Sequence, residues 1–444
     1  MARTITGART IAGARTIAGT RTMSSNRVSV FDIGYYIATA AGGGDDAHPG
    51  TFAEPWLTFA YAVTQLIPGD TLYIRAGTYN ERLDIEYDGG GSAGSYVTYR
   101  NYPGETVIID GTDITLTSAD GLVHIQGEGA YYIVLDGLQV QNSEMMGISI
   151  VGSEYVTVKN CYTYNTQKSG MYITASTHLL IEYNEIELAN CLVDGSEENL
   201  TIDNSSDVTI RYNEVHHGNP TTVAGGEGIN VKNGSHDVLV HHNIVHDNPK
   251  LAFGLDGWDV RTYNVYYYDN LAYTCAWKFI VETEETGSSD HIYVYNNIAY
   301  DITYAGLALP DWGDSNAVTY TYFINNTIFD CGYGFWEVHD NVSNIVIRNN
   351  IFSNNANDPQ ITLIAGWETK FTIDHNLFDT ANTAVGTSYV QGDPKFVSEV
   401  TPNFHLQSDS PAIGTGSLTD APIDDYDGVT RGVAVDIGAF EYVV

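Results

Sequence analysis

Hydrophobic and polar positions alternate along this chain in short runs, and Asn, Gly or Asp breaks nearly every one. From residue 130 the breaks fall into a repeat: a strand of three to five residues, an asparagine, then one or two apolar residues. It reads VTVKNCY, LIEYNEI, VTIRYNEV, VLVHHNIV, VYYYDNLA, IYVYNNIA, YFINNTI, IVIRNNIF and FTIDHNLF. The marker residues are Asn160, Asn184, Asn213, Asn243, Asn270, Asn297, Asn326, Asn350 and Asn376, spaced 24 to 30 residues apart. That period marks a solenoid. The unit lacks helical periodicity, which excludes leucine-rich, ankyrin and helical repeats, and it is shorter than a propeller blade. The pattern predicts an all-β, single-stranded parallel β-helix with about three short strands per coil. Asparagine suits a corner because it tolerates left-handed backbone and its side chain can bond its counterpart one coil away. These asparagines are therefore read as structural.

The ends carry different patterns. Residues 55–85, PWLTFAYAVTQLIPGDTLYIRAGTYNERLDI, begin with helical spacing of Trp56, Phe59, Ala60, Val63 and Leu66, then turn at Pro68-Gly69-Asp70 into a strand. A helix there covers an otherwise open sheet edge. Near the other end, SPAIGTGSLTDAPIDDYDGVTRGVAVDIGAFEY is turn-rich and reads as the closure of the last coil. The predicted division is a low-complexity arm at 1–26, a cap with a short amphipathic helix at 27–70, the β-helix at 71–400 and a closing segment at 401–444. The arm, MARTITGARTIAGARTIAGTRTMSSN, repeats ARTIAG every six residues and holds four of the twelve arginines. It reads either as a low-complexity tail or misassigned start, or as an arm for self-association or attachment to a larger particle. It lacks the uninterrupted apolar stretch of a secretory signal.

Composition narrows the partners. At 444 residues and 43% hydrophobic the chain can bury a large core. It has no run of 18 apolar residues, so no membrane span is expected. A formal net charge of −36 argues against nucleic acid as a partner. Such a surface accepts a neutral glycan directly and a polyanion only with the help of cations or local basic groups. Cys161, Cys191, Cys275 and Cys331 are few and spread, and read as small buried residues, not as a disulfide frame or zinc site.

Charge inside the strands then identifies candidate chemistry. Aligning GMYITA, NLTIDN, GINVKN, GLDGWD, FIVETE, GLALPD and FWEVHD gives two outward columns, because side chains alternate along a strand. One reads Tyr172, Thr201, Asn230, Asp256, Ile280, Ala308 and Glu337. The other reads Thr174, Asp203, Lys232, Trp258, Glu282, Pro310 and His339. With coils about 4.8 Å apart, Asp203, Lys232, Asp256, Asp259 and Glu282 are expected to share one patch. Lys232 and Lys278 are two of only seven lysines, and Trp258, Trp277, Trp312 and Trp336 fall in the same band. Flat aromatics beside carboxylates suit the stacking and hydrogen bonding of sugar rings. The expected glycan-binding residues are Asn230, Trp258, Trp312, Trp336, Glu337 and His339. The competing reading is a solvated face of mixed charge with a modest surface salt bridge at Lys232.

The stretch LDGWDV resembles the Asp-Asp-Gly-Trp-Asp motif of family-nine pectate lyases, which are right-handed parallel β-helices. Both end segments resemble the opening and closing segments of secreted right-handed β-helix carbohydrate enzymes, a resemblance of fold that covers most of residues 30–443. The LDGWDV resemblance implies calcium held by Asp256 and Asp259 with Glu227, from GEGINV, as an acid one coil earlier, and Asp203 joins them as a metal-ligand candidate. Leu255 replaces that family's first aspartate. Its lysine base follows in a Gly-Phe-Lys strand, and the nearest match is Lys278 in AWKFIV. Family-six alginate and chondroitin lyases are similar in a second respect, a lysine base with an arginine about one coil later, which implies Lys232 and Arg261. The resulting expectation is calcium-assisted β-elimination on a uronate-containing polysaccharide, outside the cell or on a virion, with Lys232, Arg261, Lys278 and Glu282 as catalytic candidates. Two alternatives stay open: a glycoside hydrolase using paired carboxylates such as Asp256, Asp259, Glu282, Glu284, Asp311 and Glu337, and a non-enzymatic tailspike or adhesin.

Overall fold

The computed structural model describes residues 34–443 apart from 87–88, 118–119, 128–129, 192–197, 220–224, 278, 284–285, 311–315, 358–359 and 380–383, and leaves the side chains of 279–283 undescribed. The arm at 1–26, Lys278 and Trp312 therefore lie outside the described residues. Three parallel sheets wind along one axis. A first face of 13 strands runs from Tyr35–Ile37 to Phe371–Asp374, a second of 13 from Gly77–Tyr79 to Val390–Gln391, and a third of 11 from Leu83–Glu86 to Ile361–Thr362. One coil passes from Ser206–Arg211 through Glu214–His216 to Ile229–Lys232 and on to His236–His241. Each strand pairs with its equivalent one coil away, as in Val208↔Val238, Val215↔Val245 and Val231↔Leu255. Alternation buries Val208, Ile210, Val215, Ile229 and Val231 completely in a continuous core. No helix among the described residues is long and apolar enough to cross a membrane.

The corner between first and second faces is an asparagine ladder. The Nδ2 of Asn243 donates to Asn270 Oδ1 at 3.1 Å and to the Ile210 carbonyl at 2.9 Å, while its Oδ1 accepts from the Asn213 backbone N–H at 3.0 Å. The same bonds link Asn184, Asn213, Asn270, Asn297, Asn326, Asn350 and Asn376. The left-handed backbone belongs to the residue before each asparagine: Tyr183, Tyr212, His242, Asp269, Asn296, Asn325, Asn349 and His375 have φ of 53° to 58°. Asn160 is itself such a residue, at φ 53°, so the first marker is displaced by one. Cys161 occupies that ladder place, its N–H donating to Asn184 Oδ1 at 2.9 Å.

Helix α1, Phe59–Gln65, starts at Thr58, whose Oγ1 accepts from the Tyr61 N–H at 3.2 Å. It buries Phe59, Ala62 and Val63 over the first coils, while Ala60 faces water and Trp56 precedes the helix in a bridge with Ile37. The C-terminal segment does more than close the last coil. It runs back along the second face, packing Phe404, Tyr426, Ile437 and Phe440 with Leu271, Ile298, Phe329 and Ile351. Arg431 Nη2 reaches Asn296 Oδ1 at 2.9 Å, and Arg348 pairs with both Asp374 and Asp420.

The third-face register corrects the aligned columns. Lys232 pairs with Asp256, not Trp258, and Asn230 pairs with Gly254. The outward columns are Tyr172, Thr201, Asn230, Gly254, Ala308, Trp336 and, beside it, Thr174, Asp203, Lys232, Asp256, with Ile280 and Glu282 placed in register by their backbone alone. Glu337 pairs with Leu309 and is fully buried, as is His339, so neither presents an outward glycan contact. Two slipped residues preserve the inward–outward parity, which is why alternation alone did not reveal the shift.

Two outcomes follow. Asn243→Ala strands the Asn213 N–H and the Ile210 carbonyl inside the core, and should cost about 3 kcal/mol at 1–3 kcal/mol per orphaned group. Urea denaturation measures it, with half-buried Asn165→Ala as the milder control. Burial pushes the Glu337 carboxyl from the ordinary 4.5 up to about 7, against an N–H bond from Ile364. The folded chain thus keeps a proton that the unfolded chain releases, so stability falls as pH rises from about 4.5 to 7. Glu337→Gln should flatten that fall, by as much as about 3 kcal/mol at 1.36 kcal/mol per pKa unit, in unfolding curves taken across that range.

Candidate active site

The outward side of the third face carries a dense polar cluster centred on Lys232. Strand Leu200–Asp203 places Thr201 and Asp203 outward, strand Ile229–Lys232 places Asn230 and Lys232, and Asp256 continues the second column. Just ahead of these strands, Glu198 and Glu227 occupy equivalent positions in adjacent coils, because Leu200 pairs with Ile229. Four carboxylates therefore surround one ammonium group.

Lys232 Nζ donates to Glu198 Oε1 at 2.6 Å. Glu198 is buried, and its Oε2 accepts from Thr201 Oγ1 at 2.7 Å, which lies 3.0 Å from Ser169 Oγ. Burial pulls the lysine toward neutrality, but Glu198, with Glu227 and Asp256 behind it, outweighs burial and holds the ammonium above the ordinary lysine range. Lys232 is thus protonated in this arrangement, and its partner is Glu198 and not the flanking aspartates. The sequence did not single out Glu198. It is the last acid of the run DGSEEN, where no strand alternation marks it.

Asp203 is held from one side. Its Oδ2 accepts from Thr174 Oγ1 at 3.1 Å and Tyr172 OH at 3.4 Å, while its buried Oδ1 has no hydrogen-bond partner among the described residues. Burial first, then the charge of Asp203, push the Tyr172 phenol up to about 12, so it stays a donor. Asp256 is only 4% exposed. Asn230 lies over Gly254, and its buried Oδ1 also has no partner among the described residues. The Asn230 carboxamide fills the space that a side chain at Gly254 would take, about 3.0 Å from where its Cβ would lie. An all-oxygen set of Asp203, Asp256 and Glu227 with an unsatisfied buried oxygen suits a hard cation such as calcium.

The other candidates are distributed around this cluster. Within DGWD, a Cβ at Gly257 would collide with the Ser288 backbone, so this glycine serves close packing of the turn. Trp258 and Asp259 follow on that turn, Trp258 at 41% exposure and Asp259 exposed, with the Asp259 N–H on Asn233 Oδ1 at 3.4 Å. The Asp259 carboxylate takes no part in the contacts around Lys232. Arg261 is exposed, paired with Asp290 and stacked over Tyr263 at 4.1 Å, which commits it to the first face. Glu282 pairs with Asp256 in register. The residue after Phe279 is Ile280, beside Gly254 and Ala308, so no lysine occupies that strand position. Trp336 sits outward near Tyr304, which stacks on Trp277 at 5.3 Å. This aromatic group flanks the face two to four coils beyond Lys232, and Tyr304 was missed because tyrosine is common throughout the chain.

Against known proteins, residues 35–356 match the family described as Pel9A-like, right-handed β-helix region. The uncharacterized protein YwoF of Bacillus subtilis is 30% identical over 145 residues, 32% of this chain and 27% of that protein. Pectate lyase PEL9 of Emericella nidulans is 38% identical over 94 residues, 19% of this chain and 23% of that one. The matches thus span about a quarter of each curated relative's length. Among solved structures, XylC in complex with xylose superposes with a TM-score of 0.63 at 12% identity, over 93% of this chain and 98% of that one, a likeness of fold. Since the family match extends over most of the three-faced solenoid, this chain belongs to the Pel9A-like right-handed β-helix family.

Proposed function

We propose that the chain degrades a uronate-containing polysaccharide, as a calcium-assisted lyase working on the third face. The observation that carries this reading is the set of acidic oxygens around Lys232, with Asp203 Oδ1 buried and unsatisfied beside it. In this reading Asp203, Asp256 and Glu227 hold the cation. A bound calcium would neutralise the uronate carboxylate and acidify the adjacent C5–H. The similarity to pectate lyase PEL9 over 94 residues supports the same direction. Trp277, Tyr304 and Trp336 offer stacking surface for sugar rings farther along the face. Such a polymer is met outside cells, the setting proposed for this chain.

Within the cluster, Lys232 is the candidate base and Glu198 the group that sets its protonation. A lysine can take the C5 proton only as the neutral amine. The proton that Glu198 holds on Nζ must therefore pass to solvent before the reaction, which a bound cation would favour by setting positive charge against the four carboxylates. One observation favours a second reading: Lys232 is held as an ammonium by a buried carboxylate, an arrangement that also fits a glycoside hydrolase using Glu198 with Asp203 or Asp256.

The two readings diverge in Glu198→Gln. Under the lyase reading the rising limb of the pH–rate profile moves to lower pH, because the lysine loses the charge that raised it, and an unsaturated, ultraviolet-absorbing product still forms. Lys232→Ala should then lose about 10²–10⁴-fold in rate while remaining folded. Under the hydrolase reading Glu198→Gln itself loses about 10²–10⁴-fold, and the wild type releases reducing ends without unsaturation. Neither product from any uronate polymer would leave a binding role only.

A further inference from the structure

The second face carries a cluster of different chemistry. In strand Glu214–His216, Val215 turns into the core and Glu214 and His216 turn out. Register lays His216 beside Glu187 of the preceding coil. His217 follows in left-handed backbone, φ 53°, which brings its ring to the same side. The two Nδ1 atoms lie 2.6 Å apart. Two imidazole nitrogens at that separation need a proton or a cation between them. A carboxylate oxygen of Glu187 lies within 4.8 Å of both rings' donor atoms.

The surroundings orient these three groups. His216 is buried, and its Nε2 meets Glu185 Oε1 at 3.3 Å, which leaves Nδ1 facing inward to the cluster. Glu187 Oε2 accepts from Tyr162 OH at 2.5 Å. His217 is exposed and lines a groove of about 540 Å³ with Leu188, Asp247, Thr274 and Asp301, which provides an entry path. A neighbouring set, Glu214, His216 and His246, is a poorer candidate. There both nitrogens of His246 are engaged, with Glu214 at 3.0 Å and Asp247 at 2.8 Å.

We propose that His216, His217 and Glu187 form a binding site for a divalent transition-metal ion of the zinc type, open to the groove at its remaining coordination position. Two imidazoles and one carboxylate select such an ion over calcium, which takes oxygen ligands. At zinc–nitrogen distances of about 2.0–2.1 Å, the two Nδ1 atoms sit about 3.3 Å apart, so the rings need open by less than about 1 Å. The site stands on its own residues and does not depend on the reading of the third face.

The test is calorimetric titration of the full chain with Zn²⁺ in excess calcium, with Co²⁺ absorption as a second readout. One equivalent of Zn²⁺ should bind. His217→Asn keeps a residue that tolerates left-handed backbone, and should weaken binding at least about tenfold and abolish the Co²⁺ bands. His246→Asn should leave both intact. Absence of Zn²⁺ binding, binding unchanged in His217→Asn, or binding lost only in His246→Asn would overturn the proposal.

Discussion

Each coil must lie on the next without slipping, and the buried asparagine amide at the first corner enforces that. Its carboxamide has two donors and an acceptor, and the ladder satisfies them with the next amide, a backbone carbonyl and a backbone N–H of adjacent coils. A coil displaced by one residue would leave those groups unbonded in a dry core and turn its apolar set to water. The left-handed residue before each asparagine, costly for side chains other than glycine, is held by the same bonds. Register at this corner propagates to the other two faces because the strands are short and the coil closes within about 30 residues.

That register gives the third face its chemistry. Stacking at about 4.8 Å brings together residues far apart in sequence: Asp203, Lys232 and Asp256 in one column, with Glu198 and Glu227 beside it. Crowding carboxylates is unfavourable unless a cation compensates. Lys232 compensates in part, and Glu198 answers by keeping it charged. The same crowding makes the cluster responsive, since any added positive charge weakens the hold on the lysine's proton. The second face shows the same construction with other side chains, where register stacks Glu187, His216 and His246.

How much of this was legible in the sequence follows from which interactions are periodic. The fold and the ladder from Asn184 onward repeat every coil, so their spacing gave them away, and only Asn160 stood one place off because Cys161 fills its corner. That Asp203, Lys232, Asp256 and Glu227 share one patch was legible as a region. Its pairing was not, because GLDGWD offers two alignments of equal parity and the structure takes Lys232↔Asp256. Glu337 and His339 were misplaced by a slip of one residue in FWEVHD, where Trp336 and not Glu337 pairs with Ala308, which turns Glu337 inward. Glu198 and the Glu187–His216–His217 cluster gave no local signal, since their partners come from other coils or irregular segments.

We propose the column Asp203–Lys232–Asp256 as the place where this solenoid handles an acidic glycan. A crystal structure of the Lys232→Ala variant with calcium and a uronate oligosaccharide tests it directly. The expected result is a cation coordinated by Asp203 and Asp256, with sugar rings lying along the third face toward Trp277 and Trp336. An oligosaccharide bound on the first or second face, or on the third face with no cation at those aspartates, would contradict it.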